Sequence, residues 1–182
     1  MIASPGGVAE WPKALVLKTS EGRPSESSNL SPSAISMQSS PPGVSYDCYR
    51  RIMMFSLNVH GDPASSQSVH SALQFAKATV ASGHELYRVF FYHDGVRIAD
   101  CNQVPPQDES NLLQQWVEFA EEHSLELTVC IAAALKRGVL NEDERARYER
   151  VAANVHPAFS VVGLGQQIEA AISCDRTITF PG

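Results

Sequence analysis

The cysteine at position 130 is the residue of this chain best placed to do chemistry. It ends an apolar, strand-like run at residues 125–130 and precedes an alanine-rich helical run, residues 131–137, that stops at Gly138. A thiol at such a junction lies near the first-turn N–H groups, whose partial positive charge stabilises an anion. The thiolate is the form that attacks sulfur, and helix N-termini are among the places where the pKa of cysteine falls. Sulfur chemistry is one interpretation of Cys130, and a small buried residue ending a core strand is the other.

Two pairs of polar residues lie at the ends of predicted elements. One pair ends the second strand-like run, and the other ends the alanine-rich helix. His93 and Asp94 could reach the mouth of an active site, but both residue types are also common at the edges of turns. Lys136 and Arg137 could favour a thiolate or a negative partner surface. Their simpler role is to complement the C-terminal end of the helix. Both interpretations stay open for each pair.

The chain has 4 cysteines, without a CxxC motif or a cysteine–histidine cluster at zinc-ligand spacing. Cys101 lies in a polar loop and could form a disulfide with Cys130, although no spacing rule supports that pairing. Cys174, before the last strand-like run, fits a structural role. Scattered cysteines suit a reducing cytosol better than a disulfide framework, so we expect a cytoplasmic protein without a bound metal.

The bulk composition excludes several classes of protein. The 182 residues are 43% hydrophobic and 19% charged, with a net charge of −6, as in a soluble globular domain. From Met54 onward 9 basic residues face 16 acidic ones, a net charge of −7, so we expect no direct binding of nucleic acid. No apolar run approaches the roughly 20 residues of a membrane helix, and the N-terminus lacks the pattern of a signal peptide.

Neither glycine-containing loop has the features of a cofactor site. Residues 61–66 follow the first strand-like run but lack both GxGxxG and the P-loop lysine, so a turn capped by Asp62 or Ser65 is the better interpretation. Gly163 and Gly165 fit a tight turn. We therefore expect no flavin or nucleotide cofactor.

Strand-like and helix-like patterns alternate along the second part of the chain. Such alternation predicts an α/β domain, with a mostly parallel sheet of about five strands and helices on both faces. Binding sites in these sheets lie beyond the carboxyl ends of the strands, where Cys130 is expected. The predicted strands are 55–59, 85–92, 125–130, 159–162 and 177–180, and the predicted helices are 69–80, 110–123, 131–137, a short helix after Asn141, and 166–172.

The first 52 residues differ from the rest in composition. Between Ser20 and Ser45 there are 10 serines interleaved with prolines, and we expect this tail to be disordered. Its residues also permit codons that spell three arms of a serine transfer RNA in order; residues 26–30, for example, permit a string containing GUUCGAAUC. Our hypothesis is that residues 1–52 are a translated tRNA gene, joined to the domain at residues 53–182 by a start codon assigned too early. A natural disordered leader is the alternative, and the DNA sequence decides between them.

Several segments of the domain resemble the DsrE-like sulfurtransferase family. The most specific is Cys-Ile-Ala-Ala-Ala-Leu-Lys-Arg-Gly at residues 130–138, and the others are residues 72–76, 83–86, 89–96 and 174–176. The resemblance runs from Met54 nearly to the C-terminus. It implies a sulfurtransferase of the EC 2.8.1 type, with a DsrE-like fold and a persulfide carried on Cys130, which would be the catalytic residue.

The resemblance also implies a sulfur relay and its partners. We expect TusB-like and TusC-like sister subunits in a dimer of heterotrimers, a TusA-like sulfur donor and a TusE-like acceptor, with 2-thiolation of the wobble uridine of tRNA as the endpoint. Two alternatives remain open: a DsrE subunit of dissimilatory sulfur oxidation, and a non-catalytic assembly subunit in which Cys130 is buried and inert.

Overall fold

The computed structural model describes residues 51–182. The expectations of a disordered tail and of a translated tRNA gene concern residues 1–52, nearly all of which lie outside the described residues. Within the described part of the chain, no helix has the length and apolar character needed to cross a membrane.

Five strands form one sheet in which every pair of neighbours is parallel. The order across the sheet is β4-β3-β2-β1-β5, so β2 lies at its centre between β3 and β1. The predicted α/β fold with a five-stranded, mostly parallel sheet is confirmed. The strands are β1 Met54–Val59, β2 Glu85–Phe91, β3 Leu127–Cys130, β4 Phe159–Val162 and β5 Arg176–Phe180.

The chain passes from β1 to β4 in one direction and then returns to the far side of β1 to add β5. Right-handed crossovers therefore place the early helices on one face of the sheet and the last helix on the other. The contacts agree, because Phe91 packs edge-on against Trp116 on one face, whereas Arg88 pairs with Glu169 on the opposite face. The helices are α1 Ser68–Ala81, α2 Leu112–His123, α3 Ile131–Lys136, α4 Glu142–Arg147 and α5 Gly165–Ser173.

The ends of the helices follow local sequence signals. Asn141 caps α4, since its side chain accepts a hydrogen bond of 3.0 Å from the N–H of Glu144. Gly138, predicted to end α3, and Gly83, which follows α1, have φ angles of 72° and 76°, a left-handed conformation in which glycine has no Cβ to clash.

A 3-10 helix, His93–Ala99, follows β2 where the sequence predicted only a turn. It packs against β3 and α3 at the carboxyl end of the sheet. Gly95 permits this position, because a Cβ there would lie 2.4 Å from the carbonyl oxygen of Val59. The 3-10 helix therefore sits directly beside the strand that ends in Cys130.

Candidate active site

Cys130 lies at the carboxyl end of the sheet, as the sequence predicts. It is the last residue of β3 and the N-cap of α3. Strand β3 stands between β2 and β4, with Phe91 opposite Val129 on one side and Val162 opposite Cys130 on the other. The thiol is therefore near the middle of the edge at which parallel α/β sheets place their sites.

The surroundings of Cys130 bear on the two interpretations that the sequence left open. Its side chain makes no hydrogen bond to the first-turn N–H groups of α3, a helix of only 6 residues. The residue is also only 2% exposed, whereas a sulfur carrier needs a thiol that partners can reach. The 3-10 helix is one of the elements packed against β3 and α3, the strand and helix that meet at Cys130.

Three aromatic side chains gather at the ends of β1 and β2, next to β3. The ring of His60 lies 5.6 Å from that of Tyr92 and 5.2 Å from that of His93, between centroids. Because Phe91 is opposite Val129, the next residue, Tyr92, adjoins Cys130 across the strand pair. His93, a predicted site candidate, thus lies at this edge, and it is exposed with a left-handed φ of 47°.

His60 is a member of this cluster that the sequence did not indicate. Burial lowers the pKa of His60, and the positive charge that His93 can carry adds to the effect. Its Nε2 atom is buried without a hydrogen-bond partner. The environment therefore favours the neutral imidazole, since charging it would leave a cation next to a second histidine.

Asp94 and Arg137, both predicted site candidates, are brought together by the fold. Arg137 Nε donates a hydrogen bond of 2.6 Å to Asp94 Oδ1, and Arg137 Nη1 donates one of 3.3 Å to the carbonyl of Ala133 in α3. The hydrogen bond from Arg137 lowers the pKa of Asp94 below its ordinary value, because the guanidinium stabilises the carboxylate. Arg137 thus complements the end of α3 and also ties it to the 3-10 helix.

The other described cysteines have environments unlike that of Cys130. Cys101, Cys130 and Cys174 are all free thiols, so the disulfide considered between Cys101 and Cys130 is not formed. Cys101 is exposed. Burial raises the pKa of the Cys174 thiol, and the charges of Glu169 and Asp175 raise it further, which fits the structural role predicted for it.

The loop after β1 is a turn capped by Asp62, one of the two residues predicted for that role. Asp62 Oδ1 accepts a hydrogen bond of 2.8 Å from the N–H of Ala64, and its carbonyl accepts from the N–H groups of Ser65 and Ser66. Asp62 thus satisfies the N–H groups of this turn with its own side chain and carbonyl.

Arg88 is the centre of an ion-pair network that the sequence analysis did not find. Its guanidinium donates to Glu126 Oε2 at 2.9 and 3.1 Å, to Glu169 Oε2 at 2.7 Å and to the carbonyl of Gln166 at 3.1 Å. Tyr87 also donates to Glu169. The available signal was an arginine inside an otherwise apolar strand, since a buried charge requires partners. The network fastens α5 to the sheet.

Comparisons with known proteins find one family model and several named relatives. A model described as the DsrE/DsrF-like family matches residues 53–180. The chain is 49% identical over 121 residues to a protein of Pseudomonas aeruginosa named sulfurtransferase TusD homolog, covering 66% of this chain and 92% of that protein. It is 46% identical over 126 residues to sulfurtransferase TusD of Serratia proteamaculans, covering 69% of this chain and 98% of that one.

A third relative and one solved structure widen the comparison. The chain is 46% identical over 128 residues to a DsrE protein of Allochromatium vinosum, covering 70% of this chain and 98% of the relative. The crystal structure of YchN from E. coli superposes with a TM-score of 0.57 at 19% identity, covering 71% of this chain and all of that one. At that identity the superposition shows a shared fold.

Proposed function

This chain belongs to the DsrE/DsrF-like family, and from that premise we propose that it is a sulfurtransferase subunit that carries a persulfide on Cys130. The observation that carries the proposal is the place of this thiol. Cys130 ends an interior strand at the carboxyl edge of the sheet, inside the segment that most specifically resembles the family. Two relatives at 49% and 46% identity are named sulfurtransferases, which supports the same reaction.

The proposed step is an exchange between sulfur atoms. The Cys130 thiolate attacks the outer sulfur of a donor persulfide, R–S–SH, and forms a new S–S bond. The bond between the two donor sulfurs breaks, and the donor thiolate leaves with the bonding electron pair. The proton given up by Cys130 ends on the released donor thiol. One sulfur atom changes carrier without net oxidation, so the step needs no metal or organic cofactor.

For the pathway, we propose a cytoplasmic relay that ends in 2-thiolation of the wobble uridine of tRNA. TusA-like and TusE-like proteins would be donor and acceptor, and TusB-like and TusC-like subunits would complete a dimer of heterotrimers. The two relatives named TusD support this assignment. The domain's net charge of −7 supports a role upstream of the RNA, because an acidic protein does not attract phosphates.

A second candidate pathway keeps the same chemistry. The identity of 46% to a DsrE protein supports a subunit of dissimilatory sulfur oxidation as well as it supports the relay. Neighbouring genes separate the two: genes for sulfite reductase favour oxidation, whereas genes for relay partners favour tRNA modification. A deletion strain that loses 2-thiouridine from its tRNA supports the relay, and one with unchanged tRNA contradicts it.

The burial of Cys130 supports the alternative that the chain is a non-catalytic assembly subunit, in which the thiol never reacts. The deciding experiment incubates the protein, within its complete assembly, with a persulfide-loaded TusA-like donor and analyses its cysteine peptides by mass spectrometry. Sulfurtransfer predicts the mass of one added sulfur atom on the Cys130 peptide, abolished in Cys130→Ser. The matched control Cys174→Ser is expected to leave loading unchanged. An unmodified Cys130 would support the assembly subunit, and loading that survives in Cys130→Ser would place the site elsewhere.

A further inference from the structure

We propose that the ion pair between Asp94 and Arg137 holds the 3-10 helix closed over Cys130, and that its release admits the sulfur of a partner. The inference rests on the proposed function, because access matters only if Cys130 exchanges sulfur. It makes Asp94 and Arg137 positioning residues, which act through the cover rather than by touching the reacting atoms.

The need for movement follows from the burial of Cys130. A donor sulfur must come into direct contact with the thiolate to form an S–S bond, and Cys130 is only 2% exposed. Strands β2 and β4 flank β3 and are paired with it along the sheet, so access between the strands would require breaking backbone hydrogen bonds. The 3-10 helix also packs against β3. Its residues Val96, Ile98 and Ala99 are buried in the core, whereas His93 and Asp94 at its N-terminal end are exposed. That end can therefore move without exposing the core.

The backbone of the 3-10 helix is fastened near both ends. The N–H of Gly95 donates to the carbonyl oxygens of His60 and Tyr92 at 2.9 Å, and the N–H of His156 donates to the carbonyl of Ala99 at 2.8 Å. Opening is therefore a local bowing of a tethered segment. His93, with its left-handed φ of 47°, is the strained residue at which such a segment can bend.

The Asp94–Arg137 pair is the side-chain link between this segment and the end of α3. Arg137 is 16% exposed and held on α3 by its bond to Ala133, so its guanidinium is a fixed partner. Asp94 is 52% exposed, so water competes for it and the link is of moderate strength. A link of this kind keeps the closed state populated while still permitting opening.

The test measures how fast iodoacetamide alkylates Cys130, resolved by peptide mass spectrometry, in Arg137→Gln and Asp94→Asn. When opening is fast and reversible, the rate follows the population of the open state. Loss of the pair is expected to raise the rate by about fivefold in each variant. Arg137→Lys keeps the charge but loses the planar donor geometry, and is expected to give an intermediate rate.

Two controls keep the result specific. Arg145→Gln removes a comparable pair, in which Arg145 Nη2 lies 2.6 Å from Glu142 Oε1 on α4, and is expected to leave the Cys130 rate unchanged. Alkylation of Cys174 in the same samples reports general loosening, and is expected to stay constant. Equal acceleration of both cysteines would overturn the proposal, as would unchanged Cys130 rates.

The two substitutions also distinguish release of the cover from a direct electrostatic effect on the Cys130 thiol, because the two causes predict different signs for the change in alkylation rate. Removing a cation disfavours a thiolate and removing an anion favours it. Electrostatics alone would therefore slow the alkylation of Cys130 in Arg137→Gln and speed it in Asp94→Asn. Release of the cover speeds alkylation of Cys130 in both variants, so rate changes of opposite sign would refute the proposal. Alkylation needs no sulfur donor, so this outcome is independent of whether Cys130 accepts a persulfide.

Discussion

Replacing Arg88 with methionine tests how much the network at α5 stabilises the domain. Methionine keeps an unbranched apolar stem under α5 and removes the guanidinium. Burial by itself would lower the pKa of Arg88, but the hydrogen bonds and negative charges of Glu126 and Glu169 outweigh burial and raise that pKa. The side chain is 11% exposed, so solvent screens its contacts only weakly.

The magnitude follows from what the substitution leaves behind. Removing one member of a fully buried ion pair costs about 3–5 kcal/mol, because the remaining charge is stranded. Glu126 and Glu169 are 46% and 45% exposed, so water can solvate both after the change. The loss is then limited to the charge-assisted hydrogen bonds, and we expect the free energy of unfolding to fall by about 2 kcal/mol.

The assay is urea unfolding at neutral pH followed by circular dichroism. With an m-value of about 2 kcal/mol/M, the midpoint of Arg88→Met should fall by about 1 M. Arg145→Met removes an exposed pair with Glu142 and is expected to leave the midpoint unchanged. If the two substitutions shifted the midpoint equally, or if Arg88→Met had no effect, the network would not fasten α5 as described.

The remaining predictions concern the edge of the sheet around the 3-10 helix. Gly95→Ala places a Cβ too close to the Val59 carbonyl oxygen, so we expect a loss of about 2 kcal/mol in urea unfolding and faster alkylation of Cys130; wild-type values would show that the backbone yields. Burial keeps the pKa of His60 in the folded protein below the ordinary value of 6.5. As the pH drops below that value, the unfolded chain takes up the proton before the folded one does. The free energy of unfolding therefore falls. Thermal unfolding between about pH 7 and pH 5 should show a loss in the wild type that is smaller in His60→Gln, and parallel curves would contradict this assignment.

The sequence predicted most of the fold because the relevant signals are local. Strand β4 was predicted at its observed limits, and Asn141 and Gly138 marked helix ends as they do in the structure. Capping and left-handed turns depend on neighbouring residues, so the local sequence is sufficient. The 3-10 helix was missed because it forms on the ends of β1 and β3, which are distant in sequence.

For the site, the sequence by itself determined that a thiol stands where a strand passes into a helix, and the strand order then placed Cys130 at the carboxyl edge. Only the tertiary structure decided that this thiol is covered. The cover is held by Asp94 and Arg137, which are 43 positions apart and meet because β2 and β3 are neighbours in the sheet. Burial and ion pairing depend on contacts between remote segments, so no local pattern could reveal them.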